Sequence, residues 1–301
     1  MPHGLPETWP EMEKEMERYL VDTRVERPLI SFYEGLYRVW YRCRDQIKPL
    51  YTLELDQIKD ALRQGRYLLS IKAPAFNAAL YRVVLEQIVS EAVRHFPETA
   101  ALQKAMESEK LQEDSLVSFL AAGLSFNVEQ IQDYLKGQGW VQAIEAAGVE
   151  PAHLAFVLSA ALIPFYGSLA AELSEQTDYT LWREGYCPVC GQKPFMAKLR
   201  EEDGARVLEC WLCHTQWQFP RLECPFCRNN DFARMHHFYT DEHPGRRVQL
   251  CERCKSYLKT VVVKEVGRTV ILELENIFTT ELDFLARREG YHPGEGLALL
   301  T

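Results

Sequence analysis

Residues 186–194 read YCPVCGQKP, and their two cysteines, separated by two residues, form a pattern that recurs three more times before residue 255. The recurrences are Cys210-Trp-Leu-Cys213, Cys224-Pro-Phe-Cys227 and Cys251-Glu-Arg-Cys254. Two intervening residues let a tight turn direct both sulfurs at one ion, and a second pair completes a closed tetrahedron. Four such pairs in one segment are a strong indication of metal binding.

The spacing between the pairs predicts which of them share an ion. Nineteen residues separate Cys190 from Cys210, and 23 separate Cys227 from Cys251, enough in each case for a hairpin that returns to the metal. Only ten residues separate Cys213 from Cys224, so we expect the first pair to join the second and the third to join the fourth. The predicted ligands are Cys187, Cys190, Cys210 and Cys213 for one ion, and Cys224, Cys227, Cys251 and Cys254 for the other.

The chemistry expected of these sites depends on the metal, which is iron or zinc at two ions per chain. Four thiolates leave no open position for water or substrate, so Lewis-acid catalysis is not expected. Zinc would be structural, whereas iron in the same tetrahedron could cycle one electron. With four sulfurs available per ion, the nearby histidines are expected at the surface or behind the ligands: His214, His236, His237 and His243.

Other functional motifs are missing from the sequence. It holds no glycine-rich phosphate loop, no His-Glu-x-x-His and no Gly-x-Ser-x-Gly elbow, so we predict no catalytic residues and no enzyme. The ninth cysteine, Cys43, lies on a predicted helix and is interpreted as a small buried side chain. Trp182, Trp211 and Trp217 lie near the cysteine pairs and are expected to pack the metal units together.

The expected fold is an α+β multidomain chain. An irregular helical bundle over residues 1–180 is followed by one four-cysteine ribbon at 181–222, a second at 223–266, and a tail with a short helix at 267–301. Helices are predicted at 29–45, 55–64, from Pro74 to before Pro97, 109–122, 128–136, 138–147 and 279–288. Short strands are predicted at 205–208, 216–219 and 258–263, and 269–274 fits either a strand or a helix.

An uncharged stretch from Pro151 to Ala171 has the length of a membrane span. Pro164 and Gly167 interrupt it and no basic residues flank it, so we interpret it as a buried core helix, bent or broken near Pro164. The N-terminus has no basic region followed by an apolar run, which predicts a cytoplasmic protein and not a membrane protein.

Charge argues against nucleic-acid binding, because phosphate affinity comes mainly from clustered basic residues. The chain has a net charge of −9. Residues 182–264 carry 14 Lys and Arg against 10 Asp and Glu, but eight thiolates with two divalent ions add −4, so the metal-loaded segment is close to neutral.

Three segments together resemble the formate dehydrogenase accessory proteins of the FdhE type. These are Tyr186–Pro194, Leu208-Glu-Cys-Trp-Leu-Cys-His-Thr-Gln-Trp217 and Cys251-Glu-Arg-Cys-Lys-Ser-Tyr-Leu-Lys259. The tail resembles the same family through Leu282-Asp283 and Gly290-Tyr291. The sequence departs from the family pattern at Arg228, where a small residue often follows the cysteine pair.

The resemblance implies a cytoplasmic maturation factor that is needed for active formate dehydrogenase. It implies two rubredoxin-like sites, with iron or zinc on the eight cysteines. The implied partner is the catalytic subunit of a molybdenum- or tungsten-dependent formate dehydrogenase, contacted near the cysteine region. Two alternatives stay open: a rubredoxin-like electron carrier or redox sensor, and, with least support, a zinc-ribbon nucleic-acid binder.

Overall fold

The computed structural model describes residues 4–20, 27–47, 51–72, 74, 77–107, 142 and 148–294. Within these ranges the N-terminal region is helical. Its helices are α1 (Trp9–Leu20), α2 (Arg27–Arg44), α3 (Leu55–Arg63), α4 (Ala78–His95), α5 (Ala100–Glu107) and α6 (Pro151–Glu175). The helices predicted at 29–45 and 55–64 match α2 and α3 closely, while those predicted at 109–122, 128–136 and 138–147 lie outside the described residues.

Helix α4 begins four residues later than its predicted start at Pro74. Asn77 caps it, because the Asn77 side chain accepts a hydrogen bond of 3.0 Å from the backbone N–H of Leu80. Val84, Ile88 and Ala92 recur every four residues and are all buried, so they form the inner face of this helix. An asparagine cap therefore marks this helix start better than a nearby proline.

Helix α6 continues through Pro164 without a break. A proline cannot donate to the carbonyl four residues earlier, which leaves the oxygen of Ala160 without its helical partner. The Trp40 indole N–H donates to that oxygen at 3.0 Å, so α2 supplies the missing hydrogen bond. Residues Ala152–Glu175 are long and apolar enough to cross a membrane, but 78% of the most apolar window is buried inside the protein.

The cysteine-rich region forms a single twisted sheet. Its strands are β1 (Pro194–Leu199), β2 (Arg206–Cys210), β3 (Gln216–Gln218), β4 (Met235–Phe238), β5 (Arg246–Cys251), β6 (Ser256–Val262) and β7 (His292–Pro293). Their spatial order is β3-β2-β1-β6-β5-β4, and β7 also pairs with β6. Strands β1 and β6 are parallel, with Met196 opposite Lys259 and Leu199 opposite Val262. This pairing joins the two four-cysteine units edge to edge.

The C-terminal residues fold back onto the sheet. They form α7 (Val263–Val266), α8 (Leu272–Phe278) and α9 (Thr280–Arg288). The segment 269–274, which fitted either a strand or a helix, contains the start of α8, and the helix predicted at 279–288 is present as α9. Leu282 and Ala286 of α9 pack with Val248 and Tyr257 of the sheet in a small second core.

The main hydrophobic core runs without interruption from the helices into the first four-cysteine unit. It includes Tyr37 of α2, Ile88 of α4, Leu158 of α6 and Trp211 beside the cysteines. The predicted fold class is confirmed, because a helical region precedes a sheet region that carries two four-cysteine clusters. The division into four separate segments stays a prediction.

Candidate metal centres

The first and second cysteine pairs meet in one buried cluster. Cys187 lies 3.4 Å from Cys213, and Cys190 lies 3.4 Å from Cys210 and 3.5 Å from Cys213, measured between sulfurs. All four sulfurs lie within 4.8 Å of one another. The structure thus brings together the four residues that the sequence assigned to one ion.

The third and fourth pairs form a second cluster with wider spacing. The sulfur of Cys224 lies 3.7 Å from that of Cys254, and the same distance separates Cys227 from Cys251. Cys224 and Cys251 are buried, whereas Cys227 and Cys254 are partly exposed. The second set of predicted ligands is therefore also brought together, nearer to solvent than the first.

Both clusters have the dimensions of a tetrahedral thiolate site. Zinc–sulfur bonds of about 2.3 Å place two sulfurs about 3.8 Å apart, whereas a disulfide holds them at about 2.05 Å. Burial raises the pKa of the Cys190 and Cys210 thiols well above its ordinary value. Four buried thiolates therefore need a cation to stay ionised together, and each cluster could hold one metal ion.

A left-handed residue follows the second cysteine of every pair. The φ angles are 76° at Gly191, 55° at His214, 61° at Arg228 and 54° at Lys255. This conformation lets the chain turn back over the sulfurs, as in the N–H of Cys187 donating to the oxygen of Gln192 at 2.8 Å. The turn at Cys224 is the same, since its N–H donates to Asn229 at 2.8 Å. Arg228 therefore does not disturb the geometry of the third pair.

The helical region contacts the first cluster directly through its backbone. The N–H groups of Leu68 and Leu69 donate to the oxygens of Pro188 and Val189, between the first two cysteines, at 2.8 and 3.0 Å. These bonds fix the first cysteine turn to the loop after α3.

The three tryptophans near the cysteine pairs are buried, as expected from the sequence. Trp182 donates its indole N–H to the oxygen of Tyr186 at 2.7 Å, and Trp217 donates to Glu184 at 3.1 Å. Cys43 is also buried, and burial raises the pKa of its thiol, so it behaves as a small core side chain.

Comparison with known proteins shows a likeness to the FdhE proteins. The model of the FdhE central domain matches residues 186–221, which contain the whole first cluster. Over 147 residues the chain is 31% identical to the FdhE homolog of Aquifex aeolicus, covering 48% of this chain and 51% of the relative. It is likewise 31% identical over 147 residues to the FdhE protein of Escherichia coli K12, covering 45% of this chain and 44% of the relative. The chain is therefore similar to the FdhE proteins.

The likeness to FdhE extends over the whole fold. The crystal structure of the FdhE protein from Pseudomonas aeruginosa matches with a TM-score of 0.62, covering 100% of this chain and 99% of the other at 20% identity. At that identity the match concerns the fold alone. The aligned segments span about half the length of the curated FdhE relatives.

One cluster within this FdhE-type fold was missed by sequence reasoning. His214 is neither a surface group nor part of a sulfur cluster: it is 1% exposed, and its Nδ1 lies 3.4 Å from Glu209 Oε1 and 3.1 Å from Glu273 Oε1. Glu273 comes from α8, far along the chain, so no local spacing connects it to the cysteine pairs. Of the other histidines, His236 and His237 are exposed and His243 is partly buried, as expected.

Proposed function

We propose that this protein is an accessory factor in the maturation of formate dehydrogenase and has no catalytic activity of its own. In this proposal the eight cysteines bind two metal ions, iron or zinc, which stabilise the sheet region. The metal-stabilised module binds the catalytic subunit of a molybdenum- or tungsten-dependent formate dehydrogenase in the cytoplasm. The observation that carries the proposal is the likeness to FdhE proteins together with two closed four-cysteine clusters.

The geometry of the clusters supports a binding role for the two ions. Each ion would have four sulfur ligands, which complete a tetrahedron and leave no position for a substrate. The metal then contributes folding energy to a segment with little core of its own. The first cluster, which is fully buried, would fix the sheet to the helices, while the second would shape a surface nearer to solvent.

We place the contact with the catalytic subunit at the outer edge of the sheet beside the second cluster. Strand β4 is the last strand in the sheet order and, among the strands that the structure describes, pairs with β5 alone. Exposed rings flank β4 at both ends: Phe232 is 64% and Tyr239 is 67% exposed. An open strand edge can add a strand from another chain, and exposed aromatic rings can anchor it.

Genetic complementation in the native host tests the proposed role. A strain lacking the gene should make the catalytic polypeptide but have little formate dehydrogenase activity, and the intact gene should restore it. The double variant Phe232→Ser/Tyr239→Ser should restore less activity, whereas Phe284→Ser, at an exposed ring on α9, should restore it fully. Full activity in the strain lacking the gene would contradict the accessory role.

Electron transfer is a second candidate function, because the second cluster is close to solvent. Cys227 and Cys254 are partly exposed, and burial raises the pKa of Cys227 only to about 11. Iron at this position could exchange electrons with a partner. The test is a reversible one-electron wave from the iron-loaded protein. A zinc-substituted protein that still supports maturation would remove this candidate.

A further inference from the structure

Glu209, His214 and Glu273 form a buried cluster whose ligand atoms all lie within 4.8 Å of one another. Glu209 is fully buried and Glu273 is 4% exposed. Glu209 immediately precedes Cys210, and His214 immediately follows Cys213, so the first metal centre fixes both of their backbones. Glu273 is brought to them by α8. Three potential metal ligands from two distant segments thus converge on one point.

In each carboxylate of this cluster, one oxygen accepts a hydrogen bond from a residue outside the cluster, and the other oxygen points towards His214. The Gln216 side-chain amide donates to Glu209 Oε2 at 2.5 Å, and the Tyr37 hydroxyl donates to Glu273 Oε2 at 3.2 Å. The remaining oxygens, Glu209 Oε1 and Glu273 Oε1, are buried and, within the described residues, have no polar partner other than the ring of His214. Outer donors that orient ligating carboxylates in this way are typical of metal sites.

The inward oxygens approach the same nitrogen, Nδ1 of His214, at 3.4 and 3.1 Å. A ring nitrogen carries at most one proton, so it cannot give both oxygens a full hydrogen bond. Bonds of about 2.1 Å to a common ion place neighbouring ligand atoms about 3.0 Å apart in an octahedron and about 3.4 Å apart in a tetrahedron. The observed separations match the spacing of ligands around one cation.

Charge balance within the cluster also favours a divalent ion. Two carboxylates with one protonated imidazole leave an excess negative charge, and buried uncompensated charge is costly. A divalent cation with a neutral imidazole balances the three side chains. The neighbouring Glu275 does not share this need, because it already pairs with Arg246 at 2.8 Å and Arg268 at 3.3 Å.

We propose that Glu209, His214 and Glu273 bind a third metal ion, a divalent first-row transition cation held by oxygen and nitrogen donors. This donor set differs from the sulfur clusters and takes Mn²⁺, Fe²⁺ or Zn²⁺. His214 also lines a cavity of about 890 Å³ beside α6, from which water would complete the coordination. The ion ties α8 to the first cysteine unit, with Tyr37 of α2 as a positioning residue.

The full-length protein is first given two equivalents of Zn²⁺ per chain, enough for the two sulfur clusters alone, and is then titrated with Mn²⁺, with free Mn²⁺ measured by electron paramagnetic resonance. Mn²⁺ prefers oxygen and nitrogen over thiolate, so it reports this site. We expect one bound Mn²⁺ per chain, weakened at least tenfold by Glu209→Gln or Glu273→Gln and about tenfold by Tyr37→Phe. Glu175→Gln, at an exposed carboxylate on the cavity wall, should leave binding unchanged.

A spectroscopic measurement on the unaltered protein keeps the test valid if a variant fails to fold. Electron spin echo spectra of the bound Mn²⁺ should show coupling to a single imidazole nitrogen. The proposal is overturned if no Mn²⁺ binds, if the bound ion shows no nitrogen coupling, or if folded Glu209→Gln and Glu273→Gln proteins bind it as tightly as before. His214 would then be an imidazolium paired with two carboxylates.

Discussion

Lys259 and Asp283 form a buried ion pair in which the ammonium nitrogen lies 2.6 Å from a carboxylate oxygen. Lys259 ends the Lys-x-Tyr-Leu-Lys motif of β6, and Asp283 belongs to the Leu-Asp motif of α9. Lys259 also donates to the backbone oxygen of Asn276 at 2.9 Å, while Tyr257 donates to the other oxygen of Asp283 at 2.8 Å. Lys259 and Asp283, 24 residues apart in the sequence, therefore form one contact that fastens the tail to the sheet.

Lys259→Met should lower the free energy of unfolding by about 3–5 kcal/mol, because it leaves a buried carboxylate without its cation. Urea denaturation of the metal-saturated protein measures the loss. In a double-mutant cycle, the variant carrying both Lys259→Met and Asp283→Asn should lose about 1–3 kcal/mol less than the sum of the losses in the two single variants. Strictly additive costs would show that the two groups do not interact.

The same lysine predicts a pH dependence. Burial lowers the folded-state pKa of Lys259 below its ordinary value of 10.5. At pH values between the folded-state pKa and 10.5, Lys259 is protonated in the unfolded chain but not in the folded one. The free energy of unfolding therefore rises with pH over that interval because of this group. Lys259→Met should remove that contribution, which is measured as the difference between the two stability–pH curves. Parallel curves would contradict the assignment.

Trp40→Phe should lower the free energy of unfolding by about 1–3 kcal/mol, because the buried oxygen of Ala160 then loses its hydrogen bond. Pro164→Ala provides the matched background, since an alanine there restores the helical N–H donor to that oxygen. The cost of Trp40→Phe should therefore be smaller in the Pro164→Ala protein. An equal cost in both backgrounds, measured by urea denaturation, would exclude the proposed compensation.

Gly191→Ala should destabilise the first cysteine turn more than Gly204→Ala destabilises its own turn. Both glycines are left-handed, with φ of 76° and 67°, so each substitution has a backbone cost of about 1–2 kcal/mol. A Cβ at position 191 would also lie 2.8 Å from the Tyr67 ring, whereas at 204 the nearest atom is 3.5 Å away. Thermal unfolding of the two variants compares them. Equal losses of thermal stability in the two variants would mean that the Tyr67 ring moves aside without cost.

Cys190→Ser and Cys254→Ser should each release one metal ion, and the double variant should release two. A serine oxygen is a poorer ligand than a thiolate, and the local turn loses the folding energy that the metal supplies. Metal content per chain, measured after gel filtration, gives the result. On lowering the pH, the partly exposed second cluster should release its ion before the buried first cluster. Unchanged metal content in both single variants would refute the pairing.

The local features of this fold were predictable from the sequence, and the long-range ones were not. Spacing alone predicted the grouping of the cysteines, because each turn is local and the two longer gaps leave the most room for hairpins. Strand β2 was expected at 205–208, but β1 was not expected, since five of its six residues are buried and it lacks the alternation of a half-exposed strand.

The parallel pairing of β1 with β6 and the approach of Glu273 to His214 depend on how separate segments pack. No periodicity or motif encodes such contacts. His214 was noticed because it follows Cys213, yet its burial could not be inferred without the position of α8. The one available signal was composition: Leu272-Glu-Leu-Glu275 alternates apolar and acidic residues, and all four are buried.

Affinity purification of the tagged protein from its native host, grown while formate dehydrogenase is made, is the decisive test of binding to the catalytic subunit. We expect enrichment of the catalytic subunit, reduced by Phe232→Ser/Tyr239→Ser and retained with Phe284→Ser. If the catalytic subunit is not enriched although it is present in the extract, the proposed binding is contradicted.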